Sequence, residues 1–178
     1  MFDKLIEFLR NWIEFFSFVT IVDQFERGVV LRLGVLHRQA APGLRFFWPL
    51  KIEKVMTHPV TVDTQELGEQ TLTTTDNVEV TITGVITFVV TDVEQILLHV
   101  QGEREALIDS AMGTIGVRVL RSAWAEVITE EFWNEVTKDV RRRAKKYGVD
   151  VQQVQFKDLT KSHSLRIWNT NRYAEHSN

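Results

Sequence analysis

Residues 77–92 read NVEVTITGVITFVVTD, and this stretch restricts the fold most tightly. Val78, Val80, Ile82, Ile86, Phe88 and Val90 alternate with Glu79, Thr81, Thr83 and Thr87. A two-residue period puts the apolar set on one side of a long strand and the polar set on the other. Such a strand needs sheet partners and a cover over its apolar face. Gly84 interrupts the apolar series and predicts a bend, a matter of backbone geometry rather than of a ligand.

The cover is predicted to come from the next 55 or so residues, which are largely helical in pattern. Asp92 can cap a short helix carrying Val93, Ile96, Leu97 and Val100, after which Gly102 resets the direction. A longer helix from about Glu103 places Ala106, Leu107, Ser110, Ala111, Thr114, Val117 and Leu120 along one stripe. Gly113 and Gly116 read as small residues for close helix packing. Thr129 suits the cap of a third helix, with Glu130 and Glu131 in its first turn and Arg141, Arg142, Arg143, Lys145 and Lys146 toward its end. Gly148 stops it. A last strand, VDVQQVQFKDL, offers Val149, Val151, Val154 and Phe156 for burial, and their offset predicts a bulge.

Upstream, Val29, Leu31, Leu33 and Val35 share one face of an expected strand with a bend at Gly34. Pro42 and Gly43 suit the centre of a type II turn and hence a hairpin. A further extended segment over 52–63 should be irregular at Pro59, which cannot donate a ladder hydrogen bond. Strands, then helices, then one returning strand give an α+β fold: a mostly antiparallel sheet with its helices packed on one face.

Chemistry is sparse. With no cysteine, thiolate nucleophiles, disulfides and zinc ribbons drop out. His37, His58, His99, His163 and His176 show no metal-ligand spacing, and Asp158, Ser162 and His163 lack any nucleophile context. We therefore expect no cofactor, no metal and no enzymatic activity. A net charge of −3 gives no general attraction to nucleic acid. The run RRRAKK is the one dense basic patch; its residues Arg141, Arg142, Arg143, Lys145 and Lys146 are candidates for a lipid or partner contact, against the plainer role of a solvated helix end.

The opening, MFDKLIEFLRNWIEFFSFVTIV, is rich in Phe, Leu and Ile. Asp3, Glu7, Arg10 and Glu14 interrupt it, and no small-residue cleavage site follows, so it is not a secretion signal. Its uncharged run, Phe15 to Val22, would cover about 12 Å of a ~30 Å hydrocarbon layer. At 100° per residue, Phe2, Leu5, Ile6, Leu9, Trp12, Ile13 and Phe16 fall on one face and the charges on the other. That describes an amphipathic helix able to lie in a membrane interface, with Trp12 at headgroup depth, or to pack on the protein's own core.

In order along the chain, IVDQFERGVVLRLG, APGLRFFWPL, LTTTDNVEVTITGVITFVVTDVEQ and YGVDVQQVQFKDL resemble the SPFH or Band 7 superfamily of stomatins, prohibitins, flotillins and the HflK/HflC pair. The resemblance divides the chain into an amphipathic membrane anchor at 1–19, the SPFH-like domain at 20–159 and a polar tail at 160–178. It implies a membrane-associated scaffold, peripheral or monotopic, that self-associates or joins SPFH homologues, contacts membrane lipid, and modulates a membrane protease or channel. It also implies that the hydrophobic segment before the ERGVVLRLG strand is an anchor. Family members commonly continue into a long Ala/Glu-rich helix, whereas 160–178 is polar without heptads, which speaks against large closed cages. The other reading is a regulator that docks its first helix on a partner protein or caps assemblies of longer homologues.

Overall fold

The strand expected over 77–92 forms from Glu79 to Val90 and is the middle strand of a three-stranded antiparallel sheet. The computed structural model describes residues 6–7, 19–48, 52–100 and 102–161. Its elements are β1 (Val19–Val22), β2 (Glu26–Arg32), β3 (Val35–Ala40), β4 (Gly43–Phe46), β5 (Glu53–Pro59), β6 (Val62–Thr73), β7 (Glu79–Val90), α1 (Val93–His99), α2 (Glu103–Val119), α3 (Trp124–Val127), α4 (Glu130–Ala144), one 3₁₀ turn (Lys145–Tyr147) and β8 (Val149–Lys161). The fold is α+β, and all strand pairs are antiparallel among the described residues. The strands form three sheets, β6-β7-β8, β3-β2-β5 and the ribbon β1-β4. Pro59 is the last residue of β5, opposite Glu26, and only Val60 and Thr61 separate β5 from β6, so the irregularity expected at Pro59 is where the chain leaves one sheet for another.

Alternation in β7 is complete. Val80, Ile82, Gly84, Ile86, Phe88 and Val90 are all buried, and Gly84 continues this series instead of breaking it. The shifts lie in its neighbours: β6 places Gly68 and Glu69 between Leu67 and Gln70 opposite one β7 residue, and β8 carries extra residues at Gln152 and Lys157. A Cβ on Gly84 would lie 2.7 Å from the Gln155 carbonyl oxygen, so the strands approach too closely there for any side chain. The bulge expected from the spacing of Val151 and Val154 is the one at Gln152.

Helices α2 and α4 cover the apolar face of this sheet. The core joins Ile82 and Ile86 of β7 to Leu107, Ala111, Ile115 and Val119 of α2 and Val136 and Val140 of α4. Asp92 caps α1 by accepting from the Gln95 N–H, and Thr129 caps α4 by accepting from the Phe132 N–H. The buried stripe of α2 runs through Ile115 and Val119, which leaves Val117 and Leu120 exposed, contrary to expectation. Gly116 faces Leu72 across β6, but a Cβ on Gly113 would meet nothing, so only Gly116 serves close packing.

The N-terminal sheets depart most from the sequence reading. Leu33 and Gly34 do not continue a strand. Both have positive φ, 52° and 84°, and form the two-residue turn of a β2–β3 hairpin in which Arg32 pairs with Val35. The expected core face therefore splits: Val29 and Val30 are buried, while Leu33 and Val35 stand exposed. Gly43 has a positive φ, 111°, but the type II turn expected there does not form: the chain only bends at Pro42, and Gly43 already opens β4 opposite Val22. Accordingly β3 and β4 are not a hairpin pair: β4 crosses to β1, where Val19 faces Phe46 and Ile21 faces Leu44. A second small core of Val22, Val30 and Ala40, with Val55 against it, lies beneath that ribbon.

Candidate membrane-facing surface

In an antiparallel ribbon, residues directly opposite each other project to the same side, and so does every second residue. The register of β1 and β4 thus puts Val19, Ile21, Leu44 and Phe46 on one side and Val22, the residue of the small core, on the other. Ile21 is 71% exposed and Phe46 60%, and Leu44 is open to solvent as well. Four apolar side chains on one strand face, without a cover among the described residues, make a contiguous exposed apolar patch of the kind that marks an interaction surface.

More apolar side chains gather at the same end. Trp48, two residues beyond β4, is exposed, and Leu33 at the hairpin tip is 78% exposed with Val35 beside it. Hydrogen bonds draw these positions together: the Leu33 N–H donates to the Ile52 carbonyl at 2.8 Å, and the Trp48 N–H donates to Glu53 Oε2 at 3.0 Å. Arg32 Nη2 and Nε donate to Glu53 Oε1 at 2.7 and 3.0 Å, and Arg38 Nη2 donates to the Phe46 carbonyl at 2.7 Å. Residue 19 opens β1 opposite Phe46, so the amphipathic segment joins the domain at this end.

Glu53 is the fastening. Its side chain is fully buried. Burial pushes its pKa up, but the Trp48 N–H and the Arg32 and Arg38 guanidinium groups outweigh this and hold it below the usual value near 4.5. A carboxyl with a folded pKa below its unfolded one stabilises the fold fully above the unfolded value, and that contribution is lost as pH falls through the folded value. Glu53→Gln is therefore expected to cost about 1–3 kcal/mol at neutral pH. Thermal melts should show the gap between variant and wild type closing as pH drops below about 5.

Of the expected anchor residues, Phe2, Leu5, Leu9, Trp12, Ile13 and Phe16 lie outside the described residues. Ile6 is described; it is helical and exposed. Among the described residues no helix is long and apolar enough to cross a membrane. The basic run is divided by the fold. Arg141 lies against β8, its Nη2 donating to the Gln152 carbonyl at 2.8 Å and its Nε to that of Val151, while one turn earlier Thr137 Oγ1 accepts from the Val154 N–H at 3.0 Å. These two side chains clasp the bulged edge of β8. Arg142 pairs with Asp139 at 2.8 Å, and Lys146 sits over the Tyr147 ring. Arg143 and Lys145 point outward.

The ribbon face escaped the sequence reading although a signal for it exists. Leu44, Phe46 and Trp48 alternate with a two-residue period, as do Val19 and Ile21. No group of His, Asp or Glu suited to a metal ion occurs among the described residues.

Two archaeal proteins are similar to this chain. An uncharacterized protein of Methanocaldococcus jannaschii is 27% identical over 147 residues, 79% of this chain and 71% of the relative. An uncharacterized protein of Archaeoglobus fulgidus is 27% identical over 152 residues, 84% of this chain; the match spans 61% of that relative's length. The family model described as SPFH domain / Band 7 family matches residues 20–167, which begin within β1 and take in every later strand and helix just described. With its four signature stretches falling on β1–β2, on β4, on β6–β7 and on β8, the chain belongs to the SPFH domain / Band 7 family.

Proposed function

We propose that this protein is a membrane-associated scaffold that binds one leaflet from the side, self-associates laterally, and organises a membrane-protein partner such as a protease or channel. The observation that carries the reading is the uncovered apolar face of Val19, Ile21, Leu44 and Phe46, continuous at its Val19 end with the amphipathic segment. Each element alone is a modest anchor. In this reading the amphipathic segment and the ribbon engage the interface together, and Trp48 and Leu33 add to the same surface. The polar face of the helix is net acidic, so binding draws on apolar burial rather than on anionic lipid. Family membership supports the same reading, since SPFH proteins are scaffolds at membranes and act by assembly rather than by turnover. No arrangement of nucleophile, base and oxyanion donors accompanies the surface among the described residues.

The test is flotation of the full chain with zwitterionic phospholipid vesicles, beside a version that starts at Thr20. The full chain is expected to float, and the shortened one to float partly through its ribbon. A full chain left entirely in the dense fraction would overturn the membrane reading.

A further inference from the structure

The two layers of the larger half of the domain end in unlike surfaces. The side of β6-β7-β8 away from the helices carries a threonine lattice, with Thr64 bonded to Thr87 at 3.2 Å and Thr71 to Thr81 at 3.1 Å. Within it the paired bulges of β6 and β8 leave a depression of about 490 Å³, lined by Glu66, Glu69, Lys157 and Asp158. Lys157 is committed to Glu66 at 2.7 Å. Asp158 accepts from the Thr160 hydroxyl at 3.1 Å, and neither it nor Glu69 has a cationic partner among the described residues. This face has carboxylates to spare.

On the far side of the helices, α2 and α4 frame a groove of about 420 Å³ lined by Val117, Arg118, Arg121, Arg142, Arg143 and Asp139. Arg118 bridges Asp139 at 2.6 Å and also holds Glu135, and Arg142 takes the other oxygen of Asp139 at 2.8 Å. Arg121 and Arg143 have no carboxylate partner among the described residues. Val117 lines the groove, exposed, and Leu120, the residue just past the end of α2, is exposed as well. This face has guanidinium groups to spare, on a partly apolar floor.

The two surfaces lie on opposite sides of one domain and cannot meet within a molecule. We propose that they meet between molecules: a second copy seats its α2–α4 groove on the outer face of β6-β7-β8, bringing Arg121 and Arg143 to Glu69 and Asp158. Because the contact joins two different patches it is heterologous, and it propagates from copy to copy as a ring or a filament lying along the membrane. The inference rests on the scaffold reading above and names the faces through which lateral self-association runs. Matched charge across it sets register and polarity and disfavours the head-to-head arrangement, where like charges would oppose.

The test uses the full chain on phospholipid vesicles and after mild detergent release, with mass photometry as readout. Wild type is expected at multiples of 20.7 kDa. R121E/R143E and E69R/D158R are each expected to fall to the single-copy mass, and an equal mixture of the two to regain the higher masses, because each variant then presents the charge the other lacks. Variants that assemble singly as wild type does, or a mixture that stays at the single-copy mass, would overturn the assignment of faces. In either case vesicle flotation of the same samples reports separately on the membrane reading. The chain has no cysteine, so R143C/D158C gives an independent check with a short bis-maleimide. A ladder from the double variant with none from either single variant supports the heterologous contact; dimers from a single variant overturn it.

Discussion

Gly148→Ala is expected to destabilise the protein by about 3 kcal/mol or more, and Gly34→Ala by about 1–2 kcal/mol, although both glycines have positive φ. At Gly148, φ is 78°, and an added Cβ would lie 2.6 Å from the Asp92 carbonyl oxygen, a backbone atom. Gly148 also accepts from the N–H groups of Thr91 and Asp92, both at 2.9 Å, so moving it away loosens the start of α1 and the end of α4 together. At Gly34, φ is 84°, and nothing lies within 4 Å of the added atom. Only the left-handed backbone penalty applies there. Denaturant titrations of the two variants separate crowding from conformation, and equal losses would show that the contact with Asp92 contributes nothing.

Ile21→Thr, Leu44→Thr and Phe46→Thr, made together, are expected to weaken vesicle binding on the order of 100-fold while leaving the melting temperature nearly unchanged. Fully burying each of these side chains is worth about 1.5–3 kcal/mol, and realising even part of that at an interface gives about 3 kcal/mol in sum. Threonine retains strand propensity, and the three positions are exposed in the ribbon, so the fold has little to lose. Vesicle titration gives the affinity and calorimetry the stability. Unchanged binding would remove the ribbon from the membrane surface and leave the amphipathic segment to act without it.

What could be read in the sequence follows from how much of the free energy is local. The β7 alternation, the caps at Asp92 and Thr129, the helix stop at Gly148 and the β8 bulge each depend on a few neighbouring residues with one strongly preferred geometry. The β2–β3 turn was hidden because its pair is Leu-Gly, without the Asn or Asp that marks such turns, and because two apolar residues at its tip resemble core. Strand β6, VDTQELGEQTLT, buries only Leu67 fully and carries a bulge, so its pattern follows no simple period. On α2 the choice between Val117 with Leu120 and Ile115 with Val119 turns on a modest rotation of the helix, which the sheet beneath decides. The ribbon face depends on a pairing between strands 21 or more residues apart, with their directions set by the whole N-terminal fold. Arg141 belonged by spacing to a charged run; its hold on β8 needs the returning strand to be in place.

The backbone at Leu33 bears on the same surface. A left-handed φ of 52° is one that asparagine or glycine adopts with ease and leucine does not, and Leu33 recovers nothing by packing, being among the barest apolar side chains of the molecule. The hairpin apex is therefore less stable than the simplest substitution would make it. Such a local sacrifice makes physical sense when the benefit of the side chain is collected outside its own chain, in the medium the apex touches.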